Sequence, residues 1–482
     1  MDEPVHFEIV YTHERIESRG GLALIGRLLA NTDFKRQLDA LNLDSCRTPV
    51  IGHSDVMQAF VGLLCLARPD YAAIEEEHHG DLLRLSFGLD ALASEETLRQ
   101  RLDAIAHERP HDARAIIAEA SNTLVGLHAP AITPCLRVDQ RQWIPLDGDV
   151  AVMDNGQTKK QGVGRTYKNC DGYASMFAHL GAEGYQVHAE LREGTQHCQK
   201  GTPALLNEAI RRSRAILALH HGEDVDPRQQ RLLVRLDAGH DDIENVRVCR
   251  RWPGVDWIIK RNPRKMGPNA LEQWREIAAA HGTCEQPRDG KQIWRGDYSM
   301  EHGGRTERVV FELTERTSTA DGQRLLVPDV ELSTWWTSLA RTKVSAEKVI
   351  ELYHDHATSE QFHSELKSDM ALERLPSGKF ATNALVLELG MLAYNALRVT
   401  GQRALDENDA LPPEDQAPVT RDRQGKRRVH RRRLRRVIQD LMYLAAKLTR
   451  SGRRWRLHLS LSCAWSCVCG GLYERWLGWR PG

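Results

Sequence analysis

The sequence has no uninterrupted apolar run long enough to cross a bilayer; its longest, near Ala384 to Leu397, is broken by Glu388. The opening residues, Met1-Asp-Glu-Pro-Val-His6, lack the basic flank and apolar core of a secretory signal, so neither a signal peptide nor a membrane span is expected. Paired cysteines are missing as well. Cys46, Cys65, Cys135, Cys170, Cys198, Cys249 and Cys284 are scattered singly, which argues against a disulfide framework in a chain of 482 residues and for a reducing cytoplasm. Cys463, Cys467 and Cys469, with His458 nearby, lack C-x-x-C spacing and sit among Trp and Leu, so they read as buried small hydrophobes rather than a zinc site. No internal repeat is present, and 41% apolar with 27% charged residues is ordinary for a globular protein, which excludes disorder of the whole.

A net charge is also lacking, but only in the sum. From Arg421 to the end, 17 Lys and Arg face 3 Asp and Glu, a surplus of 14 positive charges, so residues 1–420 carry 49 against 63. Such polarity points to a polyanion-binding C-terminal part. Ten of these cations fall within Arg421 to Arg436, where Asp422 is the only acid: among them are Arg427, Arg428, Arg431, Arg432, Arg433, Arg435 and Arg436.

The pattern along the chain predicts a short strand over Val5 to Tyr11, then helices through Leu22–Ala30 and Ser54–Leu66. Ser94 stands at an N-cap position ahead of Thr97, Arg99 and Arg101, similar to the recognition helix of a helix-turn-helix; an ordinary capped surface helix fits equally. Glu75, Glu76, Glu77, His78 and His79 read as a solvated acidic patch, since adjacent residues point to different helix faces. From Val138 strands take over, in Gln142–Met153, Tyr173–Leu180 and Tyr185–Leu191. The basic stretch Thr158–Lys168, with Lys159, Lys160, Arg165 and Lys168, suits an exposed loop near nucleic acid. A helix over Pro203–His220 and a buried strand over Arg231–Asp237, ending at Ala238-Gly239, follow.

The stretch Glu351 to Lys367 sets Tyr353, His356, Glu360 and Lys367 at offsets of three, seven and fourteen, one stripe along one helix face. A solvated face with chance spacing is the plain alternative. The spacing resembles the signature of DDE insertion-sequence transposases, in which Tyr is followed after two residues by Arg, after three more by Glu and after six more by Lys, the Glu being the third metal-binding carboxylate. Tyr353, Glu360 and Lys367 match, while His356 stands where the family has Arg, a single-point donor in place of a fork.

The resemblance covers most of the chain and extends to Leu236-Asp-Ala-Gly239. It implies an α/β fold with an RNase H-like mixed-sheet catalytic core, interrupted by a β-rich insertion and flanked by a helical N-terminal part and a basic helical C-terminal part. The expected division is a helical DNA-binding domain over 1–135, the core over 136–255 and 333–400, the insertion over 256–332, a Pro-containing acidic linker over 401–420 and the basic region over 421–482. Asp149, Asp237 and Glu360 are the expected metal-binding carboxylates for two Mg2+ ions, with Mn2+ as substitute. Asp147 lies two residues from Asp149 on the same strand face and stays the alternative first ligand. Asp149 is preferred because such transposases place a small β-favouring pair after the Asp, and Val150-Ala151 comes closer than Gly148-Asp149.

By this resemblance Tyr353, His356 and Lys367 contact DNA, and the expected partners are double-stranded transposon ends with terminal inverted repeats, target DNA and a second copy of the chain, in a bacterial cytoplasm. An RNase H-like nuclease without strand transfer, and a transposase-derived DNA-binding protein that no longer cuts, are the other readings; joining of a pre-cleaved end separates the first, and metal-dependent nicking the second.

Overall fold

The computed structural model describes residues 9–222, 226, 228–262, 269–422, 424, 427 and 429–479. Among them the strands are β1 (Arg15–Glu17), β2 (Leu136–Val138), β3 (Arg141–Asp154), β4 (Gly164–Arg165), β5 (Asp171–Leu180), β6 (Tyr185–Glu190), β7 (Gln230–Leu236) and β8 (Val255–Lys260). There follow β9 (Gly282–Arg288), β10 (Lys291–His302), β11 (Arg305–Ser318), β12 (Arg324–Thr337), β13 (Ala446–Ser451) and β14 (Arg454–Leu459).

Strand β3 is the axis of an eleven-stranded mixed sheet. On one side β5 runs antiparallel to it and β6 antiparallel to β5; on the other β7 and then β8 run parallel. The parallel strands are buried on both faces, which is why Leu232-Leu-Val234 reads as a continuous apolar run rather than an alternating one. Register is fixed by Leu146 opposite Val234, Asp147 opposite Arg235 and Gly148 opposite Leu236.

The segment expected as a separate insertion is built into this sheet. Strand β8, counted from sequence with the insertion, pairs with β7, and β12, β11, β10 and β9 continue outward from it as antiparallel neighbours. A helix, Ala270–His281, packs its buried Trp274 and Ala278 on them.

Helices before β2 and the helix Phe380–Ala410 share one core with the sheet. That 31-residue helix is long and apolar enough to span a bilayer by composition, yet 89% of its apolar window is buried inside the protein. It packs against His53–Cys65, Glu95–Glu108, Pro110–His128 and β6. The expected linker therefore begins only after Ala410: Ala404, Leu405 and Asn408 are buried, Arg403 donates to the His128 and Ala129 carbonyls, and Pro412-Pro413 marks the end.

The C-terminal part is not simply helical. After the turns Leu434–Val437 and Ile438–Met442 comes the hairpin β13–β14, which pairs with β1 in a second, three-stranded sheet, and then the helix Ser466–Gly478. Ser451 opposite Arg454 leaves a two-residue turn in which Gly452 takes φ +61°, a conformation glycine adopts without strain. Val5 to Tyr11 lies partly outside the described residues, and Ile9 to Tyr11 form no strand; the first one is β1. The acidic patch at Glu75–Glu77 is not simply solvated either, since Glu77 is buried against Arg19 and Glu76 is paired with Arg68.

Within the long helix Glu388 is buried, its Oε2 has no hydrogen-bond partner, and burial pushes its carboxyl up to about 7, with Arg212 and Arg114 opposing. The folded chain then holds this proton more tightly than the unfolded one, so its contribution to stability falls as pH rises from the free-acid range through about 7. Glu388→Gln is expected to stabilise by about 1–3 kcal/mol at pH above about 8 and to have no effect below about pH 4. Urea midpoints at the two pH values check this.

Candidate active site

Beside the C-terminal half of β3 and the end of β7 opens a cleft of about 820 Å3, lined by Asp149, Asp237, Tyr353, Glu360, Lys367 and Lys168 among others. Continuing the β3–β7 register by one residue sets Asp149 beside Asp237, which directly follows β7.

Asp147 and Asp149 share a strand face but not an environment. Arg235 donates to both Asp147 oxygens at 2.6 Å, and His356 Nδ1 lies 3.1 Å from Oδ1. Both carboxylate and guanidinium are buried; burial raises the Asp147 carboxyl, but the charges and hydrogen bonds of Arg235 and His356 together outweigh it and hold the carboxyl well below the usual range. Asp147 is thus a fully committed structural acid. Asp149 faces the cleft instead, accepting from the Val150 N–H at 2.7 Å, with Ser359 Oγ at 3.4 Å and His363 Nδ1 at 3.7 Å. Burial pushes its carboxyl up to about 6, the positive side of His356 opposes this and the charge of Asp237 adds to it.

Asp237 turns out of the strand into the short 3-10 segment Ala238–His240. A Cβ at Gly239 would lie 2.9 Å from Cys198 Sγ and 3.3 Å from the Asp237 carboxylate, so a larger residue would crowd the acid out of position. Asp237 Oδ1 is buried without a hydrogen-bond partner, although His240 Nε2 lies at 3.5 Å.

The helix expected over 351–367 is interrupted twice. Ala346–His354 gives way to a 3-10 turn, Asp355–Ala357, then to Thr358–Ser364 and a π turn, Glu365–Asp369. Despite these breaks Tyr353, His356, Glu360 and Lys367 all line the cleft. Glu360 is exposed on its wall. His356 is buried and turned to Asp147, and Lys367 donates to the Val152 carbonyl at 2.6 Å and pairs with Glu373 at 2.8 Å. Among the described residues no three or more His, Cys, Asp or Glu side chains form a group ready to hold a metal ion. The donor set still suits a hard cation: two carboxylates on neighbouring strand positions, one oxygen of which makes no hydrogen bond, are what a divalent ion takes.

The predicted DNA-contacting residues divide by what they touch. Lys159, Arg165 and Lys168 are exposed, Lys168 on the cleft and Arg165 within 3.6 Å of Asp171. Lys160 is turned inward to Asn155 and the Leu375 carbonyl. Ser94 caps Glu95–Glu108 by accepting the Thr97 N–H; Arg99 pairs with Glu96, and Arg101 donates to the Ile51 carbonyl beside His53. Arg428 lies outside the described residues.

Among the described residues of the basic stretch, most arginines meet acids of the same chain. Arg427 pairs with Asp406 and Asp409, Arg431 with Glu365, Arg432 with Asp440, and both Arg433 and Arg435 with Asp369; Arg436 is exposed.

Four site residues were not singled out from sequence: Arg235, Ser359, His363 and Tyr167, whose hydroxyl donates to the Val150 carbonyl. Arg235 left a signal, a charge inside a buried strand two residues before Asp237 and so on the same face. His363, seven residues after His356, continued the helical stripe.

The fold is a mixed α/β one built on a large mixed sheet. The profile of the family Transposase DDE domain group 1 matches residues 5–411, and the chain belongs to that family. Members of the family generally use divalent metals. The fold is also similar to a chain of the cryo-EM structure of a piggyBac transposase synaptic complex with hairpin DNA, at TM-score 0.38 and 9% identity over 96% of this chain and 82% of that one. No curated protein matches the sequence.

The two aspartates of β3 are expected to fail differently. Asp147→Ala strands the buried Arg235 charge and should cost about 3–5 kcal/mol. Asp149→Ala, removing an acid that burial already disfavours, should leave stability within about 1 kcal/mol or raise it. Chemical unfolding of both variants decides, and equal losses would contradict the division.

Proposed function

We propose that the protein binds the terminal inverted repeats of an insertion sequence, cuts DNA there and transfers the cut ends to target DNA, with Asp149, Asp237 and Glu360 as metal ligands. The observation that carries this is that Asp149, within β3, and Asp237, directly after the parallel strand β7, are neighbours in register, with Asp237 Oδ1 buried and making no hydrogen bond, and Glu360 on the wall of the same cleft. The strand order β6-β5-β3-β7-β8, in which only β5 runs opposite to the others, supports an RNase H-like core.

Two Mg2+ ions, with Mn2+ as substitute, would activate the attacking hydroxyl and stabilise the leaving oxygen in line. The chain's own part is positional. Arg235 and His356 hold Asp147 and so fix the strand that carries Asp149, while Lys168, Lys159 and Arg165 offer exposed charge to the phosphate backbone near the cleft. Joining two ends calls for two active sites, so a homodimer on DNA is part of the reading, and a bacterial cytoplasm is its setting.

The expected outcome is Mg2+-dependent cleavage at the element ends by the wild type, abolished in Asp237→Ala while DNA affinity stays within about twofold, because the phosphate-contacting surface is untouched. Cleavage by Asp237→Ala near the wild-type rate would overturn the site, and cleavage without joining of a pre-cut end would reduce the reading to a nuclease.

A further inference from the structure

The three-stranded sheet at the chain's two ends carries cations that the body does not neutralise. Pairing sets Lys447 opposite His458, Thr449 opposite Arg456 and Ser451 opposite Arg454, so these side chains share one face of the β13–β14 ribbon, with Arg453 at its turn. On the other face Leu448, Leu457 and Leu459 turn inward to a cavity shared with Leu24 and Phe87. Arg453, Arg454, Arg456 and His458 are exposed. Lys447 is paired with Glu14, but among the described residues no carboxylate forms an ion pair with Arg450, Arg453, Arg454 or Arg456. No acid occurs in the sequence between Asp440 and Glu474.

This contrasts with Arg421 to Arg436. There Asp406, Asp409, Glu365, Asp369 and Asp440 pair with Arg421, Arg427, Arg431, Arg432, Arg433 and Arg435. The ribbon's arginines have no such carboxylate partner among the described residues. Trp455 stiffens its tip, with the Arg450 and Arg15 guanidinium carbons 5.3 and 5.8 Å from its ring centre.

Resting on the transposase reading above, we propose that the outward face of β13–β14 is a second DNA-binding surface, which lies against the duplex and grips its phosphates through Arg453, Arg454 and Arg456. A two-stranded antiparallel ribbon is of a size the major groove admits, and arginine forks match phosphate geometry. The ribbon is separate from the cleft, so it adds affinity for duplex without touching the carboxylates.

The test is fluorescence anisotropy of the full-length chain on a short labelled duplex across a salt series, wild type against R453A/R454A/R456A. Losing three phosphate contacts at roughly 0.9 each makes the log–log salt slope shallower by about 2.7, a fall in affinity about 40-fold smaller between about 50 and about 200 mM salt. The charge-preserving R453K/R454K/R456K restores the slope. Arg454→Glu, a single exposed change for which folding is not at issue, weakens binding in the same direction. If wild type binds with a steep slope and both the alanine and glutamate variants match it, the ribbon proposal falls and the transposase reading stands. If wild type itself shows no salt-dependent binding to duplex, both fall.

Discussion

A buried ion pair, Asp147 with Arg235, ties together the three elements that make the cleft. It locks β3 to β7 at the level that sets Asp149 beside Asp237. Arg235 Nη1 also donates to the Leu352 carbonyl at 2.6 Å, and His356 meets Asp147 from the same segment, so the chain leading to Glu360 is fastened to the same point. Taking two charges out of water costs several kcal/mol each, which only near-ideal geometry and further hydrogen bonds offset; the two-pronged contact and its two extra partners supply them. Asp149, two residues on, has no such cation, and its raised pKa reflects an acid held in place by the fold rather than by a charged partner of its own.

The same logic recurs on the far side of the site segment. Glu365 and Asp369 belong to the π turn that follows the Glu360 helix, and both are buried. Arg398 and Arg431 hold the first, Arg433 and Arg435 the second. Arg431 also reaches Gln361 at 2.6 Å and lies over the Phe362 ring at 4.5 Å, so it clasps the residues next to Glu360. Part of the charge asymmetry of the chain is therefore an internal fastening, in which acids of the body pair with Arg427, Arg431, Arg433 and Arg435 of the basic C-terminal segment.

The sheet was legible in the sequence wherever apolar runs or alternation were long: β3, β5, β6 and β7 lie where the pattern set them. Signature residues were legible because spacing survives local distortion; Tyr353, His356, Glu360 and Lys367 line one cleft although 3-10 and π turns interrupt their helix. What sequence could not separate was Asp147 from Asp149, because the period of two gives them one face and only the tertiary partner Arg235 distinguishes them. Ten cations in sixteen residues looked like a surface seeking a polyanion, since the acids that meet them, Asp369 and Glu365 above all, are remote in sequence. The ribbon β13–β14 has the alternation and the Gly452 turn of a hairpin, but the charge run before it and the apolar spacing that follows favour a basic helix when only the sequence is considered.

The central claim is that Asp149 and Asp237 jointly bind a divalent ion within a frame held by Asp147 and Arg235. Calorimetric titration of the DNA-free full-length protein with Mn2+ measures it most directly, comparing wild type with Asp149→Asn and Asp237→Asn. The account predicts binding by wild type and its loss, or a fall of about tenfold or more, in each variant with thermal stability preserved. Mn2+ binding unchanged by both substitutions would contradict it.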